Sequence, residues 1–237
     1  MIINIITPFP DMFKVIINES IMLKSQQKGF VKYNILNLFD FLSDPKDRID
    51  DYPFGGGEGM ILKPEPIYNA IKSIECNGCK SRVIFPTPDG ETFNQKIAEN
   101  LSKEKSLTFI CGHYKGIDQR VRDYYVDDEY SIGDFVLTNG ELPTMLMVDA
   151  IIRLKEGVLN NYNSALKDSF SNDLLDGPHY TRPRIFNDLE VPEVLLSGNH
   201  KKIKDWLLKE RENKTKNKRK DLWEKYILKN RIGEKNG

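Results

Sequence analysis

Apolar residues recur along this chain with two different periods. Ile2-Ile3-Asn4-Ile5-Ile6 is an almost unbroken apolar run of strand length, which predicts a first strand covered on both faces. Met12, Phe13, Ile16, Ile17 and Ile21 then follow at helical spacing, and the segment from Tyr33 to Leu38 returns to a strand pattern. Further short runs, Arg82-Val83-Ile84-Phe85, Leu107 to Cys111 and Tyr124-Tyr125-Val126, each end in Pro, Gly or acidic turn residues. This alternation over about the first 155 residues predicts an α/β class, a mostly parallel sheet with helices on both faces.

Such sheets bind ligands beyond the carboxyl ends of their strands. Three loops fall there: Thr87-Pro88-Asp89-Gly90, Gly112-His113-Tyr114-Lys115-Gly116, and residues 131 to 143. In the third, a short β-type run between Gly133 and Gly140 leads into a helix over Thr144 to Arg153, with Pro143 suited to its first turn. Glycine lets a backbone approach a ligand closely, although an ordinary strand-turn-helix connection would look the same. After Gly157, Asn160-Asn161-Tyr162-Asn163-Ser164 is a polar stretch of turn formers that reads as an interdomain linker. The remainder reads as helical: Asn199 can cap a helix with Ile203, Trp206 and Leu207 on one face, and Leu222, Trp223, Tyr226 and Ile227 form another apolar stripe.

Charge adds an asymmetry. Residues 201–237 carry 14 Lys/Arg against 6 Asp/Glu, leaving 21 against 29 in residues 1–200, so a zero net charge conceals a basic C-terminal segment. A polyanion partner or a solvated helix face would each account for it. No apolar run approaches the roughly 20 residues that span a bilayer, and the first strand has no basic leader, so the protein reads as cytoplasmic. Cys76, Cys79 and Cys111 are too few for a disulfide framework. Cys76-Asn77-Gly78-Cys79 has zinc-ribbon spacing without a second pair, and reads as a polar turn rather than a metal site.

Several chemistries are excluded. Gly55-Gly56-Gly57-Glu58-Gly59-Met60 lacks the Lys and hydroxyl of a phosphate loop, and no Gly-x-Gly-x-x-Gly opens a helix after a strand. The acidic lead-in Asp47 to Pro53 instead suits a loop closing over a substrate. No Ser/His/Asp or Cys/His pairing marks a nucleophile. Asp168 opens an unusually specified run, Asp168-Ser169-Phe170 through Gly177-Pro178-His179-Tyr180-Thr181-Arg182-Pro183, although by residue type an Asp there is more often a turn or cap.

These segments, taken in order, resemble the bacterial tRNA (guanine-N1)-methyltransferases of the SPOUT superfamily. The resemblance rests on Pro53-Phe54-Gly55-Gly56-Gly57 with Gly59-Met60, Gly112-His113-Tyr114 with Gly116-Ile117-Asp118, Ser131-Ile132-Gly133-Asp134 through Gly140-Glu141-Leu142-Pro143, and the Asp168 to Pro183 run. Val191-Pro192-Glu193 through Gly198-Asn199-His200 extends it. It implies a trefoil-knotted domain over 1–160, a linker over 161–172 and a helical tRNA-binding domain over 173–237. It also implies S-adenosylmethionine as methyl donor, N1 of the guanosine at tRNA position 37 as acceptor, and a homodimer that shares its active site between subunits. Assistance by Mg2+ is a further implication.

By the same resemblance, Phe85, Pro86, Thr87, Pro88, Gly112, Tyr114, Gly116, Ser131, Ile132, Gly133, Asp134, Phe135, Val136, Leu137, Asn139, Gly140 and Pro143 hold the donor. Asp50, Gly55, Gly56, Gly57, Gly59, Met60, His179 and Arg182 bind tRNA. Asp168 takes the proton of guanine N1, and Arg153 stabilises charge developing on O6. Lys115 stands where the family commonly has Glu, Gln119 also where Glu is usual, Asn139 where Gly is usual and Phe85 where Tyr is usual. The sign change at Lys115 best supports the alternative, a non-catalytic RNA-binding protein on the same fold.

Overall fold

A computed structural model of the 237-residue chain describes residues 1–76, 80–159, 168–170 and 172–235. Five parallel strands form the central sheet: β1 (Ile2–Thr7), β2 (Lys32–Asn37), β5 (Arg82–Thr92), β6 (Ser106–Ile110) and β7 (Asp128–Ser131), in the order β2-β1-β6-β5-β7. The short strands β3 (Asp50–Asp51) and β4 (Ile61–Leu62) pair separately. Helices α1 (Pro10–Ile17), α2 (Ser20–Gln27), α3 (Pro64–Cys76), α4 (Gln95–Leu101), α5 (Gln119–Tyr125) and α6 (Glu141–Ile152) complete this part.

Pairing and alternation sort the sheet's side chains between two faces. Ile6, Ile110, Val83 and Phe85 join Ile67, Ala70, Ile71 and Ile74 of α3 and Val121 of α5 in one core. Ile3, Ile5, Ile84, Leu107 and Phe109, all buried, point the other way, where α1, α4 and α6 pack together. A polar row crosses the first face. Asn4 Nδ2 donates to Ser106 Oγ and Thr108 Oγ1, both at 3.3 Å, while Asn34 Nδ2 donates to Asn4 Oδ1 at 2.9 Å. Ser106 and Thr108 hydroxyls in turn donate to Ser81 Oγ at 2.9 and 2.7 Å.

The α/β class and parallel sheet agree with the sequence pattern, but three local expectations do not. Tyr124 and Tyr125 end α5, and the edge strand is the polar segment Asp128–Ser131, whose pairing with β5 outweighs its composition. No strand forms between Gly133 and Gly140: Ser131 is the last strand residue and only Asn139 makes an isolated bridge, to His113. The following helix begins at Glu141, two residues before Pro143, which still lies in its first turn.

Contacts divide the chain into two units, Met1–Tyr162 and Asn163–Gly237. The second contains β8 (Ile185–Phe186), β9 (Leu189–Glu190), α7 (Glu193–Leu196), α8 (His200–Lys218) and α9 (Lys220–Lys235). Asn199 caps α8 by accepting the Lys202 N–H at 3.1 Å, as its position before the apolar face predicts. The Asn77-Gly78-Cys79 turn and most of the expected linker lie outside the described residues. The described part of that linker is tied to the second unit, since Phe170 N donates to Leu174 O at 2.9 Å and Asp176 N to Ser169 Oγ at 2.9 Å.

Candidate active site

The three loops anticipated at the strand ends meet around one cavity of about 330 Å³ in the first unit. Phe85, Pro86, Thr87 and Pro88 form one wall, Gly112, Tyr114 and Gly116 another, and Ser131 to Gly133, Phe135 to Leu137, Asn139, Gly140 and Pro143 a third. Asp134 is the exception among the expected donor-binding residues. It is exposed at the tip of a tight turn closed by the Phe135 N–H to Gly133 O bond of 2.9 Å, and stays outside the lining. His113, Lys115, Tyr130 and Thr138 line the cavity as well. Each lies within or beside one of the motif segments, but only the folded loops show that they face it.

Close backbone approach shapes this cavity. A Cβ on Gly112 would lie 2.8 Å from Cε2 of Phe85, and one on Gly140 would lie 2.6 Å from Gly112 N and 2.9 Å from Cys111 Cα. Gly140 also donates its N–H to Gly112 O at 2.8 Å, so two chain segments touch with no room for a side chain. Gly140→Ala should therefore cost about 1–3 kcal/mol of stability, the range for overpacking. Its φ of −84° suits alanine, which leaves the clash as the whole penalty. Urea unfolding that gives an unchanged midpoint would refute this.

Beneath the loops lies a buried acid. Glu141, fully buried at the start of α6, receives Thr7 Oγ1 at 2.6 Å and places both carboxylate oxygens 2.9 Å from His113 Nε2. Phe9 packs on the His113 ring at 5.1 Å. Cys111, beside this cluster, is no nucleophile: burial first, and the Glu141 charge second, push its thiol well above the usual range.

His113 and Tyr114 also border a second cavity, of about 250 Å³, with Phe9, Phe39, Arg48 and the buried Asp50. Asp50 accepts from Arg48 Nε at 3.1 Å. The adjoining Gly55, Gly56, Gly57 and Gly59 take φ of 87°, 81°, 116° and 94°, a left-handed course that side chains resist. Lys115 lies against this loop: its N–H donates to Met60 O at 3.0 Å, and a Cβ on Gly59 would meet its Cγ at 3.1 Å. Lys115 thus both lines the first cavity and supports the glycine loop.

Arg153 closes α6 through its N–H to Asp149 O at 3.2 Å. In the second unit, half-buried Asp168 precedes a segment stitched to α8, where Leu175 N donates to Thr215 Oγ1 and Lys214 Nζ to Asp176 O, both at 2.8 Å. Asp176 pairs with His179 Nε2 at 2.8 Å. Burial acts to raise its carboxyl, and hydrogen bonds from His179 and the Gly177 N–H outweigh that and hold it low. His179 and Arg182 are exposed.

The profile of the family described as tRNA (Guanine-1)-methyltransferase TrmD matches residues 1–225. The chain belongs to this family. Among similar proteins, the tRNA (guanine-N(1)-)-methyltransferase of Staphylococcus epidermidis RP62A is 50% identical over 228 residues, 96% of this chain and 93% of the relative. That of Bacillus subtilis 168 is 47% identical over 229 residues, 96% and 94% of the two chains. That of Anoxybacillus flavithermus WK1 is 48% identical over 229 residues, 96% and 94%. The parallel sheet and its loop-built cavity are thus those of a family member, and the match spans both units.

The cavity suits the methyl donor that this family implies. Its volume falls within the range of small-molecule sites. Four glycines, Gly112, Gly116, Gly133 and Gly140, lie in its lining, and Asn139 Oδ1 is a buried acceptor with no partner among the described residues. No helix is long and apolar enough to cross a membrane, among the described residues.

Proposed function

We propose that this protein methylates N1 of the guanosine at tRNA position 37, using S-adenosylmethionine. The observation that carries the reading is a cavity lined by three loops at the carboxyl ends of parallel strands, in a chain of this family. S-Adenosylmethionine supplies an electrophilic methyl group on its sulfonium. The protein's own task is to hold that group over a guanine whose N1 has lost its proton. Asp168 accepts the N1 proton, and Arg153 faces the negative charge that then gathers on O6. The knotted loops of the first unit grip the donor through main-chain groups, and the target base leaves its stack to enter.

Asp50, the 55–60 glycine loop, His179 and Arg182 contact the RNA, and the basic C-terminal helices bind its phosphates without reading sequence. Two copies share each active site, one supplying the donor cavity and the other Asp168. Exposed Leu142 and Leu146 on α6 and Val15 on α1 support a second copy as their cover. Assistance of the transfer by Mg2+ belongs to the same reading. Incubation with tritiated S-adenosylmethionine should label unmodified tRNA, and tRNA with guanosine 37 replaced should stay unlabelled. No label in the first, or equal label in both, would overturn the reading, and would favour a protein that only binds RNA.

A further inference from the structure

Two arginines clamp the same pair of strands through adjacent residues of β7, Asp128 and Glu129, whose side chains leave opposite faces of the sheet. At the start of β5, Arg82 holds Asp128 of β7, with Nη2 to Oδ1 at 2.8 Å, and reaches Glu104 at 3.3 Å. One residue further along β7, Arg122 of α5 grips Glu129 with two prongs, Nε to Oε1 at 2.7 Å and Nη2 to Oε2 at 2.6 Å. The same Nη2 donates to Asp89 Oδ2 at 2.7 Å, and Asp89 also accepts from Thr87 Oγ1. The guanidinium lies 5.5 Å from the centroid of Phe85, whose ring also lies against Gly112.

The segment so held is paired through Phe85 and Pro86 and leaves the ladder only beyond them. Pairing of β5 with β7 slips between Pro86 and Glu91, which both oppose Tyr130, so residues 87–90 bulge out of the ladder. Yet Phe85, Pro86, Thr87 and Pro88 are a wall of the donor cavity. A single guanidinium therefore ties α5, the edge strand and that wall together. With its side chain only 19% exposed, it is shielded enough for charge-assisted bonds to persist. The charges answer one another: the Glu129 hydrogen bond first, and Asp89 after it, raise Arg122, while Thr87 and then Arg122 lower Asp89.

We infer that Arg122 is a positioning residue for the methyl donor, fixing the Phe85–Pro88 wall and so setting the affinity for S-adenosylmethionine without touching it. The inference rests on the proposed methyl-transfer function. Without the clamp, binding must order the wall at its own expense, which weakens affinity. Once the donor is bound the wall is in place, so turnover is unaffected.

The test compares Arg122→Met, Arg122→Lys and Arg82→Met in the full-length protein, by steady-state methyl transfer and by calorimetry with S-adenosylhomocysteine. Arg122→Met should raise KM for S-adenosylmethionine and the Kd of S-adenosylhomocysteine roughly three- to tenfold, with kcat and KM for tRNA within about twofold. Arg122→Lys should recover part of the loss, since it restores charge without the fork. Arg82→Met should lower the melting temperature comparably and leave donor KM unchanged. If Arg122→Met fails to fold, Asp89→Asn removes only the arm to the wall and should still raise donor KM.

Equal KM shifts in the Arg122 and Arg82 variants, no shift in either Arg122→Met or Asp89→Asn, or a fall in kcat of the same size would overturn the inference. Wild-type protein that neither binds S-adenosylhomocysteine nor transfers methyl would reject the functional reading, and the clamp with it. Wild-type binding with no shift in the variants rejects the clamp alone.

Discussion

Asp168→Ala should leave donor binding intact and lower methyl transfer to tRNA by about 10²–10⁴-fold, the range of a lost general base. Guanine N1 carries its proton at neutral pH, and a protonated nitrogen has no lone pair to offer the methyl group. The segment that carries Asp168 is anchored by Ser169, Phe170 and Leu175, ties that remain when the carboxylate is removed. Asp168→Asn is the sharper variant, because it keeps the shape and discards only the basicity. Single-turnover rates with both substrates saturating, beside the S-adenosylhomocysteine Kd, separate the two effects. Transfer within about tenfold of wild type in both variants would place the base elsewhere.

Glu141→Ala should cost about 3–5 kcal/mol of stability, the penalty for removing one partner of a buried pair. Its carboxylate serves His113 and Thr7 together at a fully buried position, so its removal strands two polar groups at once. The start of a helix also favours a negative side chain there. For a chain of this size the loss corresponds to a melting point lower by roughly 10 °C. Because His113 borders both cavities, donor affinity should fall as well. Glu141→Gln, which keeps one acceptor, should lose about half as much. Scanning calorimetry that finds the Ala variant within about 2 °C of wild type would show the pair to be dispensable.

The sheet was legible where strands are continuously apolar. Ile2–Ile6 and Leu107–Ile110 read directly because both faces are covered. Asp128–Ser131 did not, since an edge strand is held by one neighbour and tolerates acids that a central strand would expel. Its apolar-looking forerunner, Tyr124-Tyr125-Val126, is mainly the end of a helix, with Tyr124 largely in solvent. At the site, glycines announced the loops, but partners remote in sequence were invisible: Glu141 meets His113 across 28 positions and Arg122 meets Asp89 across 33. Asp168 and Arg153 came from family resemblance alone, as an aspartate near a turn and an arginine ending a helix carry no chemical mark by residue type.

The polar row across the sheet bears on assembly. Asn4, Asn34, Ser81, Ser106 and Thr108 can satisfy one another only when their strands lie in a single alignment. A slip of one position between β1 and β6 would turn the Asn4 amide into oil and cost it every partner. During folding the row acts as a keyway, admitting one stagger of the strands, so that their tips finish level and present the three loops at a common height.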